Sequence, residues 1–293
     1  MAFSFNARAC NLVEAENKYI LMFPPKFDSL SPKHDYIFQL LQLILKKSKP
    51  KYGLCEVQLL DQRLPLKRME KYLKNKHLID VVALTVNKQR DKKFLPITIP
   101  ISKGLMGYRL FMIRKGDTEK FANISDLSGL STFLAGQGIG WADVEILEHN
   151  KLPVVTGGSV KTLIDMLAYN RFDYFPRGAL QMMAELNNYK DKAVQLETTL
   201  ALAYPSMTAL YVHKSNKHLA ERLEFGLKKA IEDGSFDKFF YSHPSSVKAL
   251  EFINFEQRQI IQICNPILPT WVPIEKKQYW LHPWPDNIRK NKC

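Results

Sequence analysis

The sequence predicts an α/β fold of two lobes, each a mainly parallel sheet flanked by helices, with two hinge crossings between them. Three observations carry that expectation. The 293 residues are too many for one small core and suit two α/β units of ordinary size. Strand-like and helix-like segments alternate as β-α-β-α-β over residues 18–85, and a second such cycle runs over residues 131–175. Hydrophobic residues at 46% and charged residues at 24% argue for a sizeable core rather than disorder.

In the first cycle, Lys18 to Pro25 reads as a strand ending in two prolines, and Asp28 to Lys33 as a loop. Ile37, Leu40, Leu41, Ile44 and Leu45 then repeat at helical spacing, which places one apolar stripe against a core. Gly53 to Asp61 reads as a strand, Pro65 to Asn75 as a helix, and Ile79 to Thr85 as a buried strand. In the second cycle, Ser131 to Ala135 reads as a strand, Gly136 to Gly140 as a turn, Trp141 to Asn150 as a helix and Leu152 to Thr156 as a strand. Ser159 is a candidate N-cap for the helix that follows, and Phe172 to Phe175 a short strand.

The extended apolar segments Gly107 to Arg114 and Ala209 to Lys214 border the second cycle and are the candidate hinges. The amphipathic stretch Asn216 to Gly234 predicts a helix ending where glycine takes the left-handed cap conformation. Beyond Glu256, five prolines interleaved with tryptophans predict an irregular, extended tail. The expected domains are thus residues 18–108 plus 208–255 for lobe 1, 109–207 for lobe 2 and 256–293 for the tail, with 1–17 as leader remnant.

The formal charge of +13 would attract anions of any size. The lysines are scattered over solvent faces of helices without interleaved aromatics, so nucleic acid is not an expected partner. No segment approaches the ~18 consecutive apolar residues of a membrane-spanning helix. Met1 to Ala9 ends in Ala7-x-Ala9, the small-residue pattern that signal peptidases accept, which predicts export to the periplasm behind a longer leader. Lipid attachment at Cys10 is the alternative. Cys10, Cys55, Cys264 and Cys293 contain no C-x-x-C pair, so neither zinc nor a redox motif is expected; up to two disulfides could form, with the connectivity open.

Catalytic signatures are absent: there is no H-E-x-x-H, G-x-S-x-G or Walker A sequence. The Gly136 to Gly140 segment fails the dinucleotide fingerprint but could present backbone N–H groups to an oxyanion at a helix N-terminus. Thr85 and Arg90 follow a buried strand, where a hydroxyl and a guanidinium can face a crevice and hold a carboxylate. Arg177, beyond the short strand of the second cycle, could reach the same crevice. Phe23 and Tyr204 are candidates for its apolar walls. No catalytic residue, metal or cofactor is expected.

Several runs together carry a resemblance. Ile79-Asp-Val-Val-Ala-Leu-Thr-Val-Asn-Lys-Gln-Arg90, Gly107-Tyr-Arg-Leu-Phe-Met-Ile-Arg114, Ile124-Ser-Asp-Leu127, the Gly136 loop, Asn170 to Tyr174 and Leu219 to Phe236 resemble, in order, the family 3 extracellular solute-binding proteins. These are type 2 periplasmic receptors that serve ABC importers of amino acids and related solutes. The resemblance implies a monomeric receptor that captures a small solute in an inter-lobe cleft and delivers it to an ABC permease. It also implies that Thr85, Arg90, Gln137 and Gly138 hold the ligand's carboxylate. Where amino-acid receptors carry an aspartate for the ligand's ammonium, Gly178 stands here beside Arg177. An anionic or amino-acid-like solute is therefore expected. A sensory or regulatory protein of the same fold, and less so an enzyme using the cleft, are the alternatives.

Overall fold

The computed structural model describes residues 10–13, 18–25, 35–62, 64–281 and 293. The chain opens with β1 (Asn11–Val13), β2 (Lys18–Phe23), α1 (Tyr36–Tyr52), β3 (Glu56–Leu59), α2 (Leu66–Lys74), β4 (Val81–Thr85), α3 (Lys88–Lys93) and β5 (Phe94–Pro96). It continues through β6 (Tyr108–Arg114), α4 (Thr118–Phe121), α5 (Leu127–Leu130), β7 (Ala135–Gly138), α6 (Ala142–His149), β8 (Val154–Gly157), α7 (Val160–Ala168), β9 (Tyr174–Gly178), α8 (Ala179–Asn188) and β10 (Val194–Ala203). Then come β11 (Thr208–His213), α9 (Lys217–Glu232), α10 (Ser235–Ser242), α11 (Pro244–Ile253) and β12 (Gln259–Gln262). These elements form two compact units, one up to Ile101 plus Thr208–His243, the other Ser102–Met207 plus Pro244–Cys293.

In unit 1, β1 and β3 flank β2, antiparallel and parallel, while β4 and β5 flank β11, both antiparallel. Asp80 stitches the two sets together. Its backbone N–H donates to the Met22 carbonyl at 3.0 Å, and its carboxylate accepts from Met22 N at 2.7 Å. The helix α1 forms because Asp35 caps it, accepting from the Ile37 and Phe38 N–H groups at 2.8 and 3.1 Å, and because its apolar stripe is buried as its spacing predicts. Each such side chain contributes about 1.5–3 kcal/mol. The facing helix α9 comes unusually close. A Cβ at Gly226 would stand 2.3 Å from the Ile44 carbonyl oxygen, so glycine is required at the crossing. Arg222, fully buried on α9, donates to the Gly53 carbonyl at 2.7 Å and so closes the C-terminal end of α1.

Unit 2 is built on one six-stranded sheet in the order β12-β10-β6-β9-β7-β8. The pairs β7–β8, β7–β9 and β10–β12 are parallel, whereas β6 runs antiparallel to both β9 and β10. Phe111, Ile113, Tyr174, Leu200 and Leu202 belong to its buried core. Both units are therefore mixed: parallel pairs predominate in unit 2, whereas unit 1 is mainly antiparallel, not mainly parallel as expected.

Several expectations are corrected. Gly136 and Gly138 are not a turn but strand positions in β7: a Cβ at Gly136 would stand 2.2 Å from the Phe172 ring, and one at Gly138 2.1 Å from the Trp141 ring. The turn is confined to Ile139 and Gly140, closed by Trp141 N donating to the Gly138 carbonyl at 3.0 Å, with Gly140 at φ +74°. The short strand of the second cycle starts at Tyr174 and runs through Gly178, so Arg177 lies within it. The two candidate hinges are instead the strands β6 and β11, and the passages between units precede them, at Ile101 to Ser102 and Met207 to Thr208.

A third passage follows His243, because α11 packs against α8 and β12 completes the open edge of β10. Residues 244–255 thus belong to unit 2 rather than lobe 1, and the tail from Glu256 contributes a strand to the sheet. At the other end, Asn11–Val13 is part of the unit 1 sheet rather than leader, and Cys10 is bonded to Cys55, a pairing that leaves no thiol for a lipid. The second disulfide is Cys264–Cys293. Ala7-x-Ala9 and the Asp28 to Lys33 loop lie outside the described residues.

Candidate functional site

In unit 1 the strand β4 ends at Thr85, paired with Thr208, and Asn87 starts α3 by accepting from the Arg90 N–H at 2.8 Å. That tight turn folds Arg90 back over the strand end. Its Nη1 donates to the Thr85 carbonyl at 2.6 Å and its Nε to Glu70 of α2 at 2.9 Å. The structure thus ties Arg90 to the Thr85 backbone carbonyl rather than setting it beside the Thr85 hydroxyl. It adds Glu70, which offsets part of the charge. Nη2 has no protein partner among the described residues, and the Arg90 side chain keeps 16% of its surface open. Phe23, at the end of β2, is 2% exposed and belongs to the core.

Unit 2 treats its arginines differently. Arg177 pairs with Glu185 of α8 through one edge of the guanidinium, Nε lying 2.7 Å from Oε2 and Nη2 in contact with Oε1. Its guanidinium carbon lies 4.6 Å from the Trp141 ring centre and 4.9 Å from that of Phe175. Trp141 in turn stacks on Phe175 and covers Gly138. The expectation that Arg177 reaches an open crevice is thus corrected: both Arg177 and Glu185 are buried, and the pair is satisfied internally. Gln137 is fully buried, with its amide donating to the Pro176 carbonyl at 3.1 Å.

Tyr204 is no apolar wall. Its hydroxyl accepts from Arg109 Nε at 2.6 Å and donates to Asp143, whose carboxylate also lies 2.9 Å from Arg109 Nη2. Burial, outweighing the pull of Arg109, pushes the Tyr204 phenol well above the usual range, so it stays a neutral donor. Burial also weakens Arg109, but the charge of Asp143 and the bond to Tyr204 more than restore it, leaving the guanidinium firmly protonated. Asp143 sits in the first turn of α6, so the helix N-terminus expected to greet an oxyanion already has a carboxylate of its own.

Arg109, Asp143, Glu185 and Trp141 were not among the residues singled out from the sequence. Arg109 and Asp143 are far apart in the chain, and Arg177 and Glu185 are joined only by the turn from β9 into α8. The one available signal was Asp143, an acid in the first turn of a predicted helix behind a glycine-rich segment.

No family model and no curated protein matches the chain. Solved structures do. An ancestral arginine-binding protein bound to arginine has a TM-score of 0.56 and 16% identity, covering 77% of this chain and 98% of its own. An amino acid ABC transporter substrate-binding protein from Streptococcus pneumoniae bound to L-arginine also gives 0.56, at 15% identity, covering 78% and 93%. A histidine kinase sensor domain with similarity to periplasmic binding proteins gives 0.54 at 14% identity, covering 78% and 97%. At this identity the likeness shows the fold alone, the one these binding proteins share.

Proposed function

We propose that this chain is an extracytoplasmic solute-binding protein and not an enzyme, recognising a small carboxylate-bearing, amino-acid-like solute for an ABC importer. The observation that carries the reading is the partly open Arg90 at the end of β4, in a fold whose solved relatives include amino-acid-binding proteins. A guanidinium held through Nε and Nη1 still has Nη2 to offer a carboxylate in a charge-assisted bond. The Thr85 carbonyl fixes Nη1. In unit 2, the backbone at Gln137 and Gly138 is what the resemblance assigns to the carboxylate, the Gln137 side chain being spent on the Pro176 carbonyl, while Arg177 and Tyr204 act as positioning residues.

Because three of the arginines at these strand ends already hold carboxylates of the chain, the solute is expected to carry one acidic group rather than two. Export to the periplasm is part of the proposal, and no helix among the described residues is long and apolar enough to cross a membrane.

The test is a thermal-shift screen of amino acids, monocarboxylates, dicarboxylates and oligopeptides, since a solute that binds only the folded state raises its melting temperature. Arg90→Ala should then lower affinity for the best solute by at least about tenfold, the loss of a charged hydrogen bond. Unchanged affinity would remove Arg90 from the site. The likeness to a kinase sensor domain favours a second reading, in which the bound solute is reported to a signalling partner. Solute-dependent stimulation of ATP hydrolysis by a reconstituted importer would separate the two.

A further inference from the structure

The Cys264–Cys293 disulfide lies beside His149, the last residue of α6, and the imidazole and the two sulfurs all fall within 4.8 Å of one another. The fold holds the His149 and Cys264 side of this arrangement, and the disulfide brings Cys293 to it. Asn150, next to His149, clasps the Cys264 backbone at both ends: its amide donates to the Cys264 carbonyl at 2.9 Å, and its oxygen accepts from the Cys264 N–H at 3.2 Å. One residue earlier, Ile263 N donates to the Ala203 carbonyl at 2.9 Å, so Cys264 is fixed to the sheet as well as to the helix end.

We infer that His149, Cys264 and Cys293 form a redox-gated zinc site, closed by the disulfide and opened when it is reduced. A dithiol reductant supplies two electrons and two protons, breaking the Cys264–Cys293 bond to give two thiols while becoming a disulfide itself. Zinc then displaces both thiol protons to solvent and takes two thiolates and a neutral imidazole, with water in the fourth position. Tetrahedral zinc sets its ligand atoms about 3.5–3.8 Å apart, given Zn–S and Zn–N distances of roughly 2.3 and 2.0–2.1 Å. The sulfurs therefore need only part to that spacing. Two thiolates balance the metal's charge, and the negative end of the α6 dipole lies at the same place. Two soft sulfurs with an imidazole favour zinc over the hard, oxygen-seeking cations.

Cys10–Cys55 provides an internal control. Among the described residues no third ligand joins that pair within the same reach. The metal would thus replace one crosslink and not the other.

The experiment is a zinc titration of the full chain, reduced with a phosphine and desalted without oxygen, against a chromophoric chelator. The reduced protein should take one equivalent of zinc and the oxidised protein none. Cys264→Ser should abolish binding, and Cys10→Ser should leave it intact. His149→Ala is the decisive variant, because His149 is exposed and outside the disulfide, so the fold does not depend on it. Its affinity should fall by at least about tenfold, the least expected when a ligand rather than its supporting partner is lost. Absence of zinc uptake by the reduced protein, or uptake that His149→Ala leaves unchanged, would overturn the inference.

Discussion

Unit 1 and unit 2 both end strands on arginine-bearing segments, yet they put the guanidinium to opposite uses. Arg90 is anchored through Nη1 to Thr85 and through Nε to Glu70, and its side chain stays partly exposed. Arg109 and Arg177 are buried, each against its own carboxylate, and Arg177 also faces the rings of Trp141 and Phe175. The difference teaches that an arginine at a strand end serves recognition only where burial is incomplete. Once desolvated, it must be paired or hydrogen-bonded by the protein itself, as Arg109 and Arg177 are by carboxylates, and it becomes part of the scaffold.

The largest effect should come from breaking the closed side. Glu185→Ala leaves the Arg177 guanidinium buried without its partner, and stability should fall by about 3–5 kcal/mol. Urea unfolding would show this as a lower midpoint, and a change within error would mean that Arg177 finds water or swings out. Next in size, Tyr204→Phe removes the hydroxyl between Arg109 and Asp143, at a cost of about 1–3 kcal/mol for the stranded polar groups. Calorimetric melting would measure it. The same variant sharpens the contrast, since it should leave the affinity of unit 1's arginine for a carboxylate much less affected than Arg90→Ala does.

On the open side the expected cost is smaller and the functional gain larger. Glu70→Gln should lower stability by less than about 1 kcal/mol, because the pair with Arg90 is partly exposed. Removing that competing charge should tighten binding of a carboxylate solute, as read by isothermal titration; weaker binding would make Glu70 an orienting partner that Arg90 needs. The smallest effect belongs to Asp233, whose carboxyl the Lys47 ammonium and Ser235 hold down to about 2 from 3.8. A folded-state value below the unfolded one gives stability that is present above about pH 4 and lost as pH falls through about 2. Asp233→Asn should therefore flatten the acid limb of the unfolding midpoint slightly, and added salt should erase the difference.

Much of the architecture was legible in local patterns. The stripe of α1, the Ser159 cap of α7 and the left-handed Gly234 after α9 all stand where spacing and residue type put them. The sequence placed Thr85 and Arg90 at the same strand end, but not the bond from Arg90 to the Thr85 backbone carbonyl or the pairing with Glu70. The glycines of β7 were misleading: glycine signals a turn when read alone, but here it makes room for the Phe172 and Trp141 rings, which the linear pattern does not show. The tail was misread for a related reason. Its prolines exclude a helix, but the short strand Gln259–Gln262 exists because β10 offers it an open edge.

The sequence by itself determined the two α/β cycles, the amphipathic helices and the strand-end anchor of unit 1, since each depends on residues within a few positions of one another. Only the tertiary structure decided which arginines remain available and which cysteines pair, and that residues 244–293 return to the second unit. Those outcomes depend on partners tens of residues or more away in the chain, or on a turn into the next element. For a guanidinium or a thiol, the neighbour that packing supplies sets its charge balance and its chemistry.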